Sequence, residues 1–159
     1  EPVGFKYLGP VMMRENALAA GEESGGYAFN GHIPERDGIL SGLLILEMMA
    51  KTDKPLSELR DLLISKVGPH IYHRIDLEYP SGQRDNIINR VKNANPSSLA
   101  GLQVQQIDTK DGFRFVLEND YWALIRFSGT EPLLRTYAEA DSRKRVDTLL
   151  KELSDLASV

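Results

Sequence analysis

Hydrophobic residues in the first 70 positions recur mainly at helical spacing. The segment Val11 to Ala20 has helical composition, and the apolar run from Ile39 to about Lys51 predicts a buried helix. Between them, the Gly-rich and charged stretch from Gly21 to Gly38 predicts a loop with a short strand at Tyr27 to Phe29. Pro55 suits the first turn of another helix, which Gly68-Pro69 ends. The apolar residues of that helix are Leu56, Leu59, Leu62, Leu63 and Val67.

Beyond residue 70 the pattern changes to short strands separated by turn residues. Asp111-Gly112 and Asn119-Asp120 lie between successive strands as hairpin signals. One helix is predicted over about Arg84 to Asn93, and another begins near Asp141-Ser142. These elements predict a compact α+β domain with a mainly antiparallel sheet covered by helices. The predicted strands are Ile71 to Tyr79, Leu102 to Asp108, Phe113 to Glu118, Tyr121 to Phe127 and Leu134 to Ala140. The last helix has an apolar stripe that consists of Val146, Leu149, Leu150, Leu153 and Leu156.

Composition narrows the classes of function. The formal net charge is −4 without a long block of one sign, which disfavours nonspecific attraction to nucleic acid or to an anionic membrane. There is no cysteine, so disulfides and thiol chemistry are excluded, as suits a reducing cytoplasm. The longest apolar run is too short to cross a bilayer, which takes about 20 residues. Because the chain starts at Glu1 without a methionine or a signal-peptide pattern, we expect it to be cut from a longer protein.

The first candidate site is the Gly-rich segment Gly21-Glu22-Glu23-Ser24-Gly25-Gly26. Its glycines allow a tight turn that places two carboxylates and a hydroxyl at one tip. Such groups can bind neighbouring sugar hydroxyls. The alternative is a pair of solvated glutamates in an ordinary turn. A glycosidase pair is disfavoured, because adjacent loop residues seldom face each other across a scissile bond.

The second candidate site is Arg126-Phe127-Ser128-Gly129-Thr130-Glu131-Pro132, with Arg135 returning on the next strand. Backbone N–H groups in a Gly-containing turn can form an anion-binding nest, hydroxyls add donors, and guanidinium groups bind phosphate in a bidentate manner. The combination predicts a site for a phosphate monoester. The alternative is a plain hairpin whose serine and threonine satisfy its backbone.

Other polar residues carry weaker signals. His32 follows the first loop and is a possible substrate neighbour, whereas His70 and His73 suit structural or surface roles. Asp37 is predicted to cap the helix after it, with Arg36 available to project into a cleft. Lys6 and the aromatic residues Tyr27, Phe29 and Trp122 show no pattern of their own.

Together these motifs resemble the α-D-phosphohexomutase family (phosphoglucomutase/phosphomannomutase). Gly21 to Gly26 is similar to the sugar-specificity loop of its third domain, and Arg126 to Pro132 is similar to the phosphate-binding loop of its fourth. Val3 to Lys6 and His32 to Gly38 also match stretches of the third domain, so the resemblance covers essentially the whole chain. Two departures are Phe127, where relatives often have proline, and Arg36, where they often have lysine.

The resemblance implies a domain organisation and a set of site residues. Residues 1–53 would be the C-terminal part of sugar-binding domain 3, an incomplete α/β segment; residues 54–69 a linker helix; and residues 70–159 domain 4, with a fold like the TATA-binding protein. The sugar would be bound by Glu22, Ser24, Lys6, His32 and Arg36, and the non-reacting phosphate by Arg126, Ser128, Gly129, Thr130 and Arg135.

The resemblance also implies a reaction for the parent protein, the interconversion of hexose 1-phosphate and hexose 6-phosphate through a bisphosphate. The family's phosphoserine segment and Asp-Gly-Asp-Gly-Asp magnesium loop are both missing from this sequence. We therefore expect an inactive fragment without a metal site or catalytic residue. Magnesium, a hexose bisphosphate activator and the N-terminal domains would belong to the cytoplasmic parent enzyme. The alternatives are a free-standing sugar-phosphate binding or regulatory module, and a hydrolase that uses Glu22 and Glu23.

Overall fold

Two units, Glu1–Lys66 and Val67–Val159, make up the chain in a computed structural model that describes residues 1–80, 82–129 and 131–159. In the first unit, the two short strands form an antiparallel hairpin in which Gly21 lies opposite Tyr27. This places the first candidate site at the tip of the hairpin. The elements are α1 (Phe5–Arg14), β1 (Ala19–Gly21), β2 (Tyr27–Phe29), α2 (Gly38–Thr52) and α3 (Leu56–Val67).

The N-terminal helix lies earlier in the chain than its composition predicts. α1 continues through Pro10 and buries Phe5 and Met12 on one face. It ends before Asn16, which has a left-handed backbone with φ 47°. A helix was predicted over Val11 to Ala20. Its second half is wrong, because the backbone of Ala19–Gly21 pairs with β2.

Helix α2 is present where it was predicted, but none of its residues is buried. Ile39 is 81% exposed, and an apolar groove of about 710 Å³ lies beside α2 and α3, lined by Leu44 and Leu63 among others. The prediction of a buried helix is wrong for this chain, because residues 1–66 supply no surface that covers the apolar side chains of α2. In the described part of the chain, no helix is both long and apolar enough to cross a membrane.

The small core of the first unit leads to a prediction about local stability. Its buried cluster consists of Phe5, Met12 and Ala28. Backbone amides with few buried apolar neighbours open at low free energy. We expect amides of the first 50 or so residues to exchange with solvent faster than those of the strands beyond residue 70. Hydrogen exchange measured by NMR checks this, and equal protection in the two units would contradict it.

The second unit is an antiparallel six-stranded sheet with strand order β3-β8-β7-β6-β5-β4. The predicted turns are confirmed: Asp111-Gly112 joins β5 to β6, and Asn119-Asp120 lies between β6 and β7. The two-residue strand β4 was not predicted. The elements are β3 (Ile71–Glu78), α4 (Arg84–Ala94), β4 (Ser98–Leu99), β5 (Leu102–Asp108), β6 (Phe113–Leu117), β7 (Trp122–Phe127), β8 (Leu133–Ala140) and α5 (Arg143–Ala157).

Helix α5 fills one face of this sheet. Its predicted stripe is confirmed: Val146, Leu149, Leu150 and Leu153 are at most 1% exposed, and Leu156 packs partly buried beside them. They share a core with Ile125 of β7 and Leu134 of β8. Successive strand residues point to opposite faces, so Arg126 and Arg135 lie on the face away from this core.

Candidate functional site

Residues Glu22 to Gly26 form the tip of the β1–β2 hairpin in the first unit. The N–H of Gly25 donates to the carbonyl of Glu22 (3.0 Å), and the N–H of Glu22 donates to the carbonyl of Gly26 (2.9 Å). Glu23 and Ser24 between them are exposed. The turn therefore satisfies its own backbone and leaves the Ser24 hydroxyl facing solvent.

Arg36 crosses this tip and holds the carboxylate of Glu22. Its Nη1 lies 3.2 Å from Glu22 Oε2, and the Glu22 side chain is only 7% exposed. The guanidinium carbon is 5.8 Å from the centroid of the Phe5 ring. Gly26 makes this packing possible, because a Cβ at that position would be 2.4 Å from Arg36 Cδ. Two of the residues proposed for sugar binding thus lie together.

The other candidates in this unit lie beside the tip rather than on it. His32 Nε2 is 2.9 Å from Asp37 Oδ2. Asp37 caps α2 as predicted, since its Oδ1 accepts from the N–H of Leu40 at 2.9 Å. The N–H of Leu40 first, and the His32 ring second, lower the pKa of Asp37. Lys6 places its ammonium 4.9 Å from the ring of its neighbour Tyr7.

In the second unit, Arg126 and Arg135 are cross-strand partners. They lie opposite each other in the register of β7 and β8, and therefore on the same face of the sheet. Two like charges directly opposite each other destabilise a sheet unless counter-charge is nearby. The Arg135 Nε is buried and has no hydrogen-bond partner within the described residues. The strand register therefore brings two arginine side chains together on this face.

Three side chains hold the two arginines in place. Arg126 Nε donates to Asp111 Oδ2 at 3.0 Å, and Arg135 Nε lies 3.7 Å from Asp76 Oδ2. Burial disfavours the charge of Arg126, but attraction to Asp111 and hydrogen bonds to Asp111 and Tyr137 outweigh it and raise the pKa of Arg126. Asp111 therefore orients Arg126 through a hydrogen bond. Asp76, whose nearer partner is Arg74 at 2.9 Å, gives Arg135 only a longer ionic contact.

The loop that leaves β7 beside Arg126 departs from the regular ladder at once. The N–H of Ser128 donates to the carbonyl of Leu133 (2.9 Å), but the N–H of Leu133 donates to the carbonyl of Glu131 (2.8 Å). The N–H of Glu131 reaches Ser128 Oγ at 3.4 Å. Ser128 is buried, and Gly129 follows it at the bend. Thr130, also a candidate, lies outside the described residues.

Comparison with known proteins identifies both units. Residues 1–67 match the family model "Phosphoglucomutase/phosphomannomutase, alpha/beta/alpha domain III", and residues 83–156 match "Phosphoglucomutase/phosphomannomutase, C-terminal domain". The chain belongs to the phosphoglucomutase/phosphomannomutase family.

Individual relatives agree with this membership. The chain is 33% identical over 94% of its length to a phosphoglucomutase/phosphomannomutase of Thermococcus kodakarensis, and 34% identical over 97% to a phosphoglucosamine/phosphogalactosamine mutase of Sulfurisphaera tokodaii. It covers 30% and 32% of those proteins. Among solved structures, a Thermus thermophilus protein described as a phosphomannomutase has a TM-score of 0.75 and 35% identity; the match spans 99% of this chain and 30% of that one.

The sequence motifs of this family member do not reveal the residues that contact Arg126 and Arg135. Asp111 is predicted only as a turn residue, although the β5–β6 hairpin puts it near the end of β7. Asp76 and Tyr137 are predicted only as strand residues. The contact of Asp76 with Arg135 depends on the pairing of β3 with β8, whereas the contact of Tyr137 with Arg126 depends on the pairing of β7 with β8. A register for the predicted strands would have revealed Asp76.

One histidine of the second unit has a pH-dependent contact. His70 Nδ1 lies 2.9 Å from Glu139 Oε1, and its Nε2 lies 3.3 Å from the carbonyl of Val67. The hydrogen bond to Glu139, above all, raises the pKa of His70 from its ordinary 6.5. Both ring nitrogens face acceptors, an arrangement that favours the imidazolium.

We therefore expect the His70–Glu139 contact to stabilise the second unit below pH 6.5 and to lose its contribution as the pH rises through the elevated folded-state pKa. The side chain of His70 is 43% exposed, so the gain is at most about 1 kcal/mol. NMR titration of the His70 ring in wild type and in Glu139→Gln checks this. The variant should titrate at lower pH, and identical midpoints would refute the assignment.

Proposed function

We propose that this chain is the sugar-binding and phosphate-binding part of a phosphohexomutase, an enzyme that interconverts hexose 1-phosphate and hexose 6-phosphate. The observation that carries the proposal is the Arg126–Arg135 pair, in register beside a Gly-containing loop, in a chain that matches the family's third and C-terminal domains. Paired guanidinium groups and backbone N–H donors suit the dianion of a phosphate monoester.

The chain spans about 30% of the length of the curated relatives that it matches. The activity of the whole enzyme is therefore part of the proposal. Magnesium, when bound to such an enzyme, would neutralise charge on the phosphoryl group being transferred. Among the described residues, no group of three or more His, Asp or Glu side chains could hold a metal ion. The family resemblance assigns the magnesium site to another part of the parent enzyme.

At the phosphate end, the residues of this chain would bind and orient. Arg126 and Arg135 would each donate N–H groups to phosphate oxygens, while the hydrogen bond from Asp111 keeps the guanidinium plane of Arg126 in place. Ser128 and Gly129 would add donors from the bend, and the resemblance assigns the same role to Thr130. Positioning and charge stabilisation are the chief means by which proteins promote phosphoryl transfer.

At the sugar end, the hairpin tip would read hydroxyl groups. Arg36 engages Glu22 through Oε2, and Oε1 would be the carboxylate oxygen that accepts from a sugar hydroxyl. The exposed Ser24 hydroxyl can both donate and accept, a property that suits two orientations of a bisphosphate intermediate. Lys6 and His32 remain candidates for the rim of this site.

The exposed apolar groove beside α2 and α3 supports the placement of this chain in a longer enzyme. Its lining includes Leu44, Met48, Leu59 and Leu62, and open apolar surfaces of this kind normally mark an interface. We infer that a segment of the parent enzyme outside this chain packs there and completes the third domain.

The proposal is tested by incubating the purified chain with glucose 1-phosphate and following the sample by ³¹P NMR. We expect neither glucose 6-phosphate nor inorganic phosphate to form, whereas the full-length parent, given magnesium and glucose 1,6-bisphosphate, should form glucose 6-phosphate. Release of inorganic phosphate by the chain alone would favour a hydrolase. Absence of mutase activity in the full-length parent would contradict the proposal.

A further inference from the structure

We propose that Arg84 is a positioning residue for the start of the β7–β8 loop, Ser128 and Gly129, which the proposed function assigns to phosphate binding. The inference rests on the proposed function of that loop, and it assigns to Arg84 the task of fixing the first peptide unit of the loop. Arg84 is the first residue of α4, 44 positions before Ser128. It belongs to none of the motifs that led to the family.

Two contacts join Arg84 to the point where β7 becomes the loop. Its Nη1 donates to the carbonyl of Ser128 at 2.7 Å. Its guanidinium carbon lies 5.2 Å from the centroid of the Phe127 ring, within the range of a cation–π contact. The rings of Phe127 and Tyr79 in turn form a T-shaped pair, with centroids 6.1 Å apart. Arg84 therefore contacts two consecutive residues, Phe127 and Ser128.

The bond to Ser128 takes the place of a ladder bond. In a regular antiparallel pair, the N–H of Leu133 would donate back to Ser128, but here it donates to Glu131. The Ser128 carbonyl instead accepts from Arg84. A charged donor on this carbonyl sets the direction of the peptide plane at the bend.

The direction of that plane decides where the Gly129 amide points. In a trans peptide unit the C=O and the following N–H point in opposite directions. The Ser128 carbonyl points toward Arg84, on the face of the sheet where Phe127 lies. The N–H of Gly129 is thereby turned toward the other face, which carries Arg126 and Arg135. Arg84 thus orients a backbone donor toward the two arginines without binding phosphate itself.

Helix α4 offers a matched control. Arg90 lies on the same helix and donates Nη1 to the carbonyl of Ala157 at 2.8 Å, far along the chain from the loop. Arg84→Gln and Arg90→Gln each remove one arginine-to-carbonyl hydrogen bond of nearly equal length. A general loss of stability should affect both variants, whereas an effect on the loop should be confined to Arg84→Gln.

The test compares the two variants with wild type by NMR, first without ligand and then with inorganic phosphate. In Arg84→Gln the Gly129 amide should shift and exchange faster before any phosphate is added, and phosphate affinity should fall about tenfold. In Arg90→Gln the Gly129 amide should be unchanged and the affinity within about twofold of wild type. Arg84→Lys keeps the charge but not the planar guanidinium that stacks on Phe127, so its phosphate affinity and its Gly129 amide shift should be intermediate.

Two results would overturn the proposal. One is an Arg84→Gln protein whose ligand-free Gly129 amide matches that of Arg90→Gln. The other is a loss of phosphate affinity with no change in the ligand-free loop, which would make Arg84 a direct phosphate ligand. If wild type binds no phosphate, the proposed function fails, but the ligand-free comparison still decides whether Arg84 positions the loop.

Discussion

Replacement of Arg126 by alanine is expected to weaken the binding of inorganic phosphate to this chain by about 10-fold to 100-fold. Hydrogen bonds to charged groups contribute about 1.5–3 kcal/mol each, and about 1.4 kcal/mol corresponds to a factor of ten. The loss has a second cause. Without Arg126, the Asp111 carboxylate 3.0 Å from its Nε would lose its cation and repel a phosphate dianion. Isothermal titration calorimetry or NMR titration measures the change.

Arg114→Ala is the matched control for this variant. Arg114 lies on β6 opposite Leu124, on the same sheet face as Arg126, and its guanidinium is 5.8 Å from the Trp122 ring. The substitution removes one positive charge from that face without touching the loop. We expect little change in phosphate affinity. If Arg114→Ala and Arg126→Ala weakened binding equally, attraction would be a property of the whole face and not of the loop.

Replacement of Gly112 by alanine is expected to destabilise the second unit by roughly 3–4 kcal/mol, a large share of the stability of a typical domain. Gly112 closes the β5–β6 hairpin with φ +96°, a backbone that other residues rarely adopt. A Cβ there would lie 2.2 Å from the carbonyl oxygen of Ile125 in β7, so the hairpin would also have to move. Urea unfolding followed by fluorescence of Trp122, the single tryptophan, measures the effect.

Gly101→Ala separates the cost of the positive φ from the cost of the clash with β7. Gly101 also has a positive φ of +76°, but a Cβ there would meet nothing within 4 Å. The expected cost is about 1–2 kcal/mol, from the backbone conformation alone. Equal destabilisation by Gly112→Ala and Gly101→Ala would show that contact with β7 does not constrain the hairpin. Because Asp111 precedes Gly112, the first variant should also weaken phosphate binding.

Local patterns were sufficient for much of the second unit. The stripe on α5 and the turn pairs at Asp111-Gly112 and Asn119-Asp120 are short-range signals that tertiary contacts reinforce. The connection between β7 and β8 could be located for the same reason, since its arginine, hydroxyl and glycine residues are neighbours in sequence. Its binding of phosphate stays a prediction. Arg84 could not be found in this way, because its role depends on how the start of α4 meets the end of β7.

The first unit shows where local patterns fail. Ala19 and Ala20 have helical composition but lie in a strand, because hairpin pairing with β2 outweighs a weak intrinsic preference. The apolar composition of α2 predicted burial. Composition indicates that a helix can pack against another surface, but it does not tell whether that surface belongs to the same chain. Arg36 was predicted to enter a cleft, whereas its contact with Glu22 depends on a loop folding back over Gly26.

The central claim, that this chain binds the phosphate of a sugar phosphate at the β7–β8 loop, is tested most directly by NMR titration of the backbone amides. Inorganic phosphate should shift Ser128 and Gly129 but not Glu22 to Gly26, while glucose 1-phosphate should shift Ser128 and Gly129 to a similar or larger extent. In Arg126→Ala both responses should need about 10-fold to 100-fold more ligand. If Ser128 and Gly129 do not move at millimolar phosphate, or move equally in Arg126→Ala, the assignment of this loop as a phosphate site is contradicted.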